Sequence, residues 1–205
     1  MSLEDVIMLN KIFMNKYFCA ALVVAAFIFG IWFPFYNNDP LQVDGTVSIL
    51  GERYPALFWV WALLSAAAFF IGIKYMYKKF ACKSRLADAL LIIAAAGMLA
   101  VALTLGQRGN HLLTVIHWLG AIIFALANGV ALLLFFVRGM KIAKSFRVTG
   151  AVVAVVIAGM VVWLCTVGKS GLLEALPMEF MFILIFIADF TNIYPSFEKE
   201  KINIK

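Results

Sequence analysis

Charged residues are scarce in this sequence: Asp, Glu, Lys and Arg make up 14% of its 205 residues, whereas soluble domains carry about a quarter. Histidine occurs only twice and cysteine three times. The shortage of charge argues against a soluble domain and a basic nucleic-acid binder, and the composition also argues against a disulfide-stapled secreted fold. Hydrophobic residues make up 65% of the chain, so we expect lipid to be its solvent.

Six apolar stretches are each long enough to cross a membrane. A helix needs about twenty residues to cross a membrane, because the hydrocarbon core is about 30 Å thick and a helix rises about 1.5 Å per residue. The predicted spans are residues 17–35, 55–73, 86–105, 111–137, 148–167 and 178–194. The sequence therefore predicts an all-α polytopic membrane protein, with six transmembrane helices in one bundle, a single domain over residues 1–205, an outer loop over residues 36–54, and Pro177 ahead of the last span.

The distribution of cations predicts the orientation of the chain, because Lys and Arg beside spans are retained on the cytoplasmic side. Fourteen of the 17 cations lie in the N-terminal segment, the second and fourth connections and the C-terminal tail. The other three are Arg53, Arg108 and Lys169. Both termini are therefore predicted to be cytoplasmic, in the inner membrane if the protein is bacterial.

Small residues recur at four-residue spacing in spans four and five, which allows helix backbones to approach closely in lipid. They are Ala121, Ala125 and Gly129 in one span and Gly150, Ala154 and Ala158 in the other. These faces predict helix contacts within the bundle and leave room for a homo-oligomer.

Polar side chains inside spans are costly in lipid, so they indicate where a site could lie. Asn110, Thr114 and His117 recur at four- and three-residue spacing on one face of span four and are predicted to face the bundle interior. His117 is either a neutral imidazole that links helices or a general base, metal ligand or head-group contact. Glu179 is either a further member of this site or an acid in the first turn of span six that favours the helix N-terminus.

The candidate ligand-binding residues are predicted to converge on an outer-leaflet cavity between spans three, four and six. They are Asp44, Ser48, Arg108, Asn110, Thr114, His117 and Glu179. No cofactor or metal is predicted: both histidines lie in one span, which argues against a haem held by two histidines, and His111 lies about 240° from His117 around the helix. The sequence also contains no phosphate-binding glycine loop, HExxH pair or paired CxxC.

Several short motifs resemble the Frag/DRAM/Sfk family of six-span membrane proteins. The matching segments are Asp44–Val47, Pro55–Phe58, His117–Phe124, Glu179 and Thr191. The first loop also resembles that of a bacterial six-span group of unknown function, whose Ser-x-x-Gly pattern Ser48 to Gly51 would match.

The family resemblance implies a protein connected with lipid-anchor remodelling, lipid distribution across the plasma membrane or autophagy. The resemblance also implies that Asp44, His117, Gly120 and Glu179 are site residues.

The leading hypothesis is a non-catalytic protein that binds or organises membrane lipids. One alternative is a lipid hydrolase or acyltransferase with His117 as base, Asp44 or Glu179 as its orienting group and Ser48 as nucleophile. Another is a small channel or proton-coupled carrier that uses Asn128 and Asp189, for which Gly97 and Gly129 would mark broken helices.

Overall fold

The computed structural model of the protein describes residues 13–42, 45–106, 109–166, 168 and 170–197. Within these ranges the chain forms α-helices and one short 3-10 turn, Phe33–Phe35. The helices are α1 (Lys16–Trp32), α2 (Val47–Arg53), α3 (Pro55–Lys79), α4 (Arg85–Leu103), α5 (His111–Gly139), α6 (Lys144–Thr166) and α7 (Gly171–Phe190). Helix α1 with its 3-10 turn and helices α3 to α7 are long and apolar enough to cross a membrane. The prediction of an all-α chain with six helices long and apolar enough to cross a membrane is confirmed for the described residues, while the side on which each terminus lies stays a prediction.

Polar side chains set the first residues of several long helices. Asn15, Ser84, Asn110 and Ser170 precede α1, α4, α5 and α7, and each side-chain oxygen accepts a hydrogen bond from a backbone N–H group of the first turn. These N-caps satisfy donors that a helix leaves unpaired at its start. The long apolar helices therefore begin at residues that the sequence itself marks.

The predicted last span is displaced from the observed helix. Helix α7 begins at Gly171 rather than at residue 178, ends at Phe190 rather than at 194, and contains Pro177. The physical reason is that Ser170 caps the helix, with its Oγ 3.2 Å from the Leu173 nitrogen. A proline inside a helix forgoes one backbone hydrogen bond but does not oblige the helix to end there.

The connection over residues 36–54 is more ordered than the predicted loop, because it contains helix α2. Thr46 caps α2 with its Oγ1 3.3 Å from the Ile49 nitrogen. Asn38 donates to the carbonyl oxygens of Pro34 and Gly45, each at 2.9 Å, and the Leu172 N–H group donates to the Pro40 carbonyl at 3.0 Å. These bonds tie the loop that carries α2 to the end of α1 and to the start of α7, so we call this the α2 end of the bundle.

The remaining helices pack unequally. Helices α1, α3 and α7 contact one another, and Phe69 of α3 stacks on Phe182 of α7 with ring centroids 4.4 Å apart. Helix α6 buries only Phe146, Gly150 and Val153, all in its first half. The second half of α6 therefore makes few close contacts with its neighbours.

Helices α4 and α5 approach closely enough to bring backbones together. A Cβ atom on Gly97 would lie 2.8 Å from the Gly120 carbonyl oxygen, and one on Gly120 would lie 2.7 Å from that of Gly97. Both helices continue without a break, α4 through Gly97 and α5 through Gly129. Gly97 therefore serves close packing and neither glycine marks a broken helix.

Candidate functional site

The structure brings together two of the predicted site residues, Ser48 and His117. Ser48 is the second residue of α2, and His117 lies in the second turn of α5, about 9 Å along the helix from His111. Ser48 Oγ lies 2.9 Å from His117 Nε2, which is within hydrogen-bond distance. The short helix of the loop thus places a hydroxyl directly on the imidazole.

The other ring nitrogen of His117 contacts the end of helix α4. His117 Nδ1 lies 3.0 Å from the Val101 carbonyl oxygen and 3.3 Å from Thr104 Oγ1. A carbonyl oxygen can only accept a hydrogen bond, so the hydrogen-bond network assigns the proton to Nδ1. In the neutral imidazole Nε2 is then the acceptor, and the Ser48 hydroxyl donates its proton to it.

The last turn of α4 is suited to accepting the hydrogen bond from His117 Nδ1. Helix α4 ends at Leu103, so the Val101 carbonyl is one of the last four carbonyl oxygens and has no partner within the helix. The C-terminal end of a helix also carries partial negative charge on these unpaired carbonyl oxygens. Thr104 Oγ1 donates to the Ala100 carbonyl at 2.6 Å and is thereby left to accept from Nδ1. The sequence analysis did not identify Val101 or Thr104, because a backbone carbonyl and a lone threonine after a span give no distinctive signal.

Glu174 is a second residue that the sequence analysis missed. It lies in the first turn of α7, and its Oε2 accepts a hydrogen bond of 2.8 Å from the Val47 N–H group, the first residue of α2. The carboxylate thus caps α2 and holds Ser48 in place from the other side. Ser170 followed by an acid within one turn is a typical helix start, which is the signal that could have found it.

A cavity of about 200 Å³ adjoins Ser48 and His117. Each of the helices α3 to α7 lines it, with Trp61, Met98, Ala125, Met160 and Met181 among the contributing residues. Ser48, His117 and Glu174 also line it and lie together at its α2 end, while the rest of its wall is almost wholly apolar.

Two observations account for the space. Ala121 and Ala125, which were predicted to bring helices together, instead lie in the cavity wall, where their small side chains leave room. The second half of α6 lines the opposite wall with Ile157, Val161 and Leu164. Val161 is 47% exposed and Ile122 of α5 is 38% exposed, so lining residues of α5 and α6 also reach the surface of the bundle.

The other predicted members of the polar stripe do not line this cavity. Asn110 caps α5, with its Oδ1 3.2 Å from the Leu113 nitrogen, and Thr114 Oγ1 donates to the Asn110 carbonyl at 3.0 Å. Both side chains therefore serve the start of α5. Asp44 and Arg108 lie outside the described residues.

Glu179 does not join His117, contrary to expectation. It lies in the third turn of α7 rather than the first, is 5% exposed and faces α1, where a Cβ on Gly30 would overlap its carboxylate. Neither carboxylate oxygen has a hydrogen-bond partner among the described residues. The first-turn role proposed for Glu179 belongs instead to Glu174, because α7 begins seven residues earlier than predicted.

The deeper polar residues, Asn128 of α5 and Asp189 of α7, lie further from the α2 end than His117 does. Asn128 donates to the Phe124 carbonyl of its own helix at 3.0 Å. Lys79 Nζ donates to the carbonyl oxygens of Ala188 and Asp189 at 2.8 and 2.7 Å and so caps the end of α7. The Asp189 carboxylate is buried without a hydrogen-bond partner among the described residues.

Within the described ranges, no three His, Cys, Asp or Glu side chains form a group that could hold a metal ion. The chain matches no known family model, no curated protein and no solved structure. The resemblance to the Frag/DRAM/Sfk family therefore stays a prediction.

Proposed function

We propose that the protein binds a membrane lipid, with an acyl chain in the apolar cavity and the adjoining polar group against Ser48 and His117. The observation that carries this proposal is the division of the cavity wall into a small polar end and a long apolar remainder. A membrane lipid has the same two parts, an apolar chain and a polar group. Binding sites for small molecules likewise combine an apolar lining with a few polar groups that set the orientation of the ligand.

The exposed lining residues support entry from the bilayer. Lining residues of α5 and α6 also reach the surface of the bundle, so an acyl chain would enter the cavity between these helices directly from lipid. The positive-inside pattern of the sequence predicts that the α2 end lies on the outer side of the membrane, and the polar group would then lie in the outer leaflet. The family resemblance, which implies a connection with lipid distribution, points in the same direction.

Native mass spectrometry of gently purified protein, followed by analysis of the released lipid, tests this proposal. Ala125→Trp fills the cavity, and we expect it to abolish the retention of the lipid that the wild type carries. Ala151→Trp is the matched control, because Ala151 is an exposed residue of α6 outside the cavity lining. His117→Ala removes the polar contact and should lower retention of the same lipid.

The expected result is one lipid class that the wild type and Ala151→Trp retain and that Ala125→Trp loses. Equal retention by all three folded proteins, or retention by none, would overturn the proposal. Circular dichroism and size-exclusion profiles of the variants distinguish loss of lipid from loss of fold.

A further inference from the structure

We infer that Ser48 and His117 form a nucleophile and general base that transfer the acyl group of the bound lipid. This inference rests on the proposed lipid site and adds a covalent step to it. The geometry carries it: Ser48 Oγ lies 2.9 Å from His117 Nε2, within the reach expected of a serine and its base. The third group of such a site orients the base, and here it is the last turn of α4.

The hydrogen bonds place the proton where the reaction requires it. The Val101 carbonyl can only accept, so Nδ1 carries the ring proton and Nε2 presents a lone pair to the Ser48 hydroxyl. When Nε2 takes the serine proton, the imidazole becomes a cation. The partial negative charge at the end of α4 then stabilises that cation, as a carboxylate does in other serine enzymes.

The reaction is an acyl transfer in two balanced steps. Ser48 Oγ attacks the ester carbonyl carbon while His117 Nε2 takes its proton, and the ester C–O bond then breaks as His117 returns the proton to the leaving alcohol. The acyl group is now esterified to Ser48. Water, or a hydroxyl group of a second lipid, attacks this ester with His117 again as base, which releases a carboxylic acid or a new ester and restores the serine.

The position of the pair in the fold suits this substrate class. Ser48 and His117 are partly exposed, at the point where the apolar cavity meets the loop over residues 36–54. When an acyl chain is bound in the cavity, its ester group lies at the polar end of the cavity, beside Ser48. The substrate class is therefore an ester of a long-chain fatty acid.

A long-chain alkyl fluorophosphonate is the probe for an activated serine, because the serine oxygen displaces fluoride at phosphorus. The purified full-length protein is incubated with the probe, and its mass is measured after denaturation. We expect one covalent adduct, located at Ser48 by peptide mapping. Ser48→Ala should lose the adduct, whereas Ser145→Ala, a serine at the opposite end of the bundle, should retain it.

Two further variants test the general base and the group that orients it. His117→Gln should slow labelling by about 10²–10⁴-fold, the usual contribution of a general base. Thr104→Val removes one acceptor of Nδ1 and leaves the Val101 carbonyl, so we expect labelling to slow by about two- to tenfold with little effect on folding. Release of oleate from palmitoyl-oleoyl phosphatidylcholine vesicles that hold the protein gives the corresponding turnover, and it should follow the same order.

The outcomes distinguish this inference from the proposed lipid site. If the wild type retains lipid in native mass spectra but gives no covalent adduct, the acyl-transfer inference is wrong and the lipid site stands. An adduct at Ser48 that forms equally fast in the folded His117→Gln variant would overturn the role of the base. Absence of both lipid and adduct would overturn the two proposals together.

Discussion

The contact between Gly97 of α4 and Gly120 of α5 holds the two helices that carry the imidazole and its orienting carbonyl. A Cβ atom on Gly120 would lie 2.7 Å from the Gly97 carbonyl oxygen, about 0.7 Å short of the 3.4 Å at which ordinary contact begins. Gly120→Ala therefore requires the helix backbones to separate, since a backbone oxygen cannot rotate away. Overpacking of this kind costs about 1–3 kcal/mol in the free energy of unfolding.

The same displacement should reach the site. Val101 lies one turn beyond Gly97, and His117 lies three residues before Gly120, so both move with the helix backbones. A separation of about 0.7 Å would lengthen the 3.0 Å contact between His117 Nδ1 and the Val101 oxygen beyond the usual hydrogen-bond range. We therefore expect Gly120→Ala to weaken the hydrogen bond of the ring as well as the fold.

Two measurements test this expectation: denaturant unfolding in mixed micelles, and NMR of the protein with isotope-labelled histidine, of which the chain has two. Gly159→Ala is the matched control, because nothing lies within 4 Å of a Cβ at that helical position. It should be neutral or slightly stabilising. If Gly120→Ala unfolds like Gly159→Ala and leaves the His117 ring signal unchanged, the close contact does not position the site.

Two further changes test the packing and the support of α2. Phe182→Ala removes a fully buried ring that stacks on Phe69, and we expect unfolding in micelles to cost about 2 kcal/mol. This is less than in a soluble core, because lipid solvates an exposed ring; Ile92→Ala on the bundle surface should be near neutral. Glu174→Ala removes the acceptor of the Val47 N–H group and should lower stability by about 1 kcal/mol and slow the labelling of Ser48. Glu174→Gln keeps an acceptor and should fall between the two, so equal labelling of all three proteins would contradict the capping role.

The two glutamates of α7 show why helix phase limited the prediction of the site. Glu174 and Glu179 are five residues apart, which is about 140° around a helix, so they face different neighbours. Pro177 suggested a helix start, whereas the N-cap at Ser170 places the start earlier and puts the first-turn acid at Glu174. A proline is a weaker boundary in lipid than in water, because only one backbone bond is lost and neighbouring groups can replace it.

The polar stripe on α5 shows a similar limit. The spacing of Asn110, Thr114 and His117 is that of one helix face, but the first two lie in the opening turn, where unpaired backbone groups compete for polar side chains. His117 lies further along the helix, where it contacts Ser48 of α2 and the Val101 carbonyl oxygen of α4. A shared face therefore did not imply a shared function.

The sequence by itself determined the all-α class of the protein, the number of long apolar helices and most helix ends. Hydropathy, helix length and N-capping are properties of neighbouring residues, so they can be read along the chain. Only the tertiary structure decided that Ser48 meets His117 across 69 residues, that the last turn of α4 orients the ring, and that α6 leaves a cavity beside them. These features depend on which helices lie side by side and on how far apart they are held, and in lipid that choice rests on contacts between small residues and polar groups that are distant in sequence.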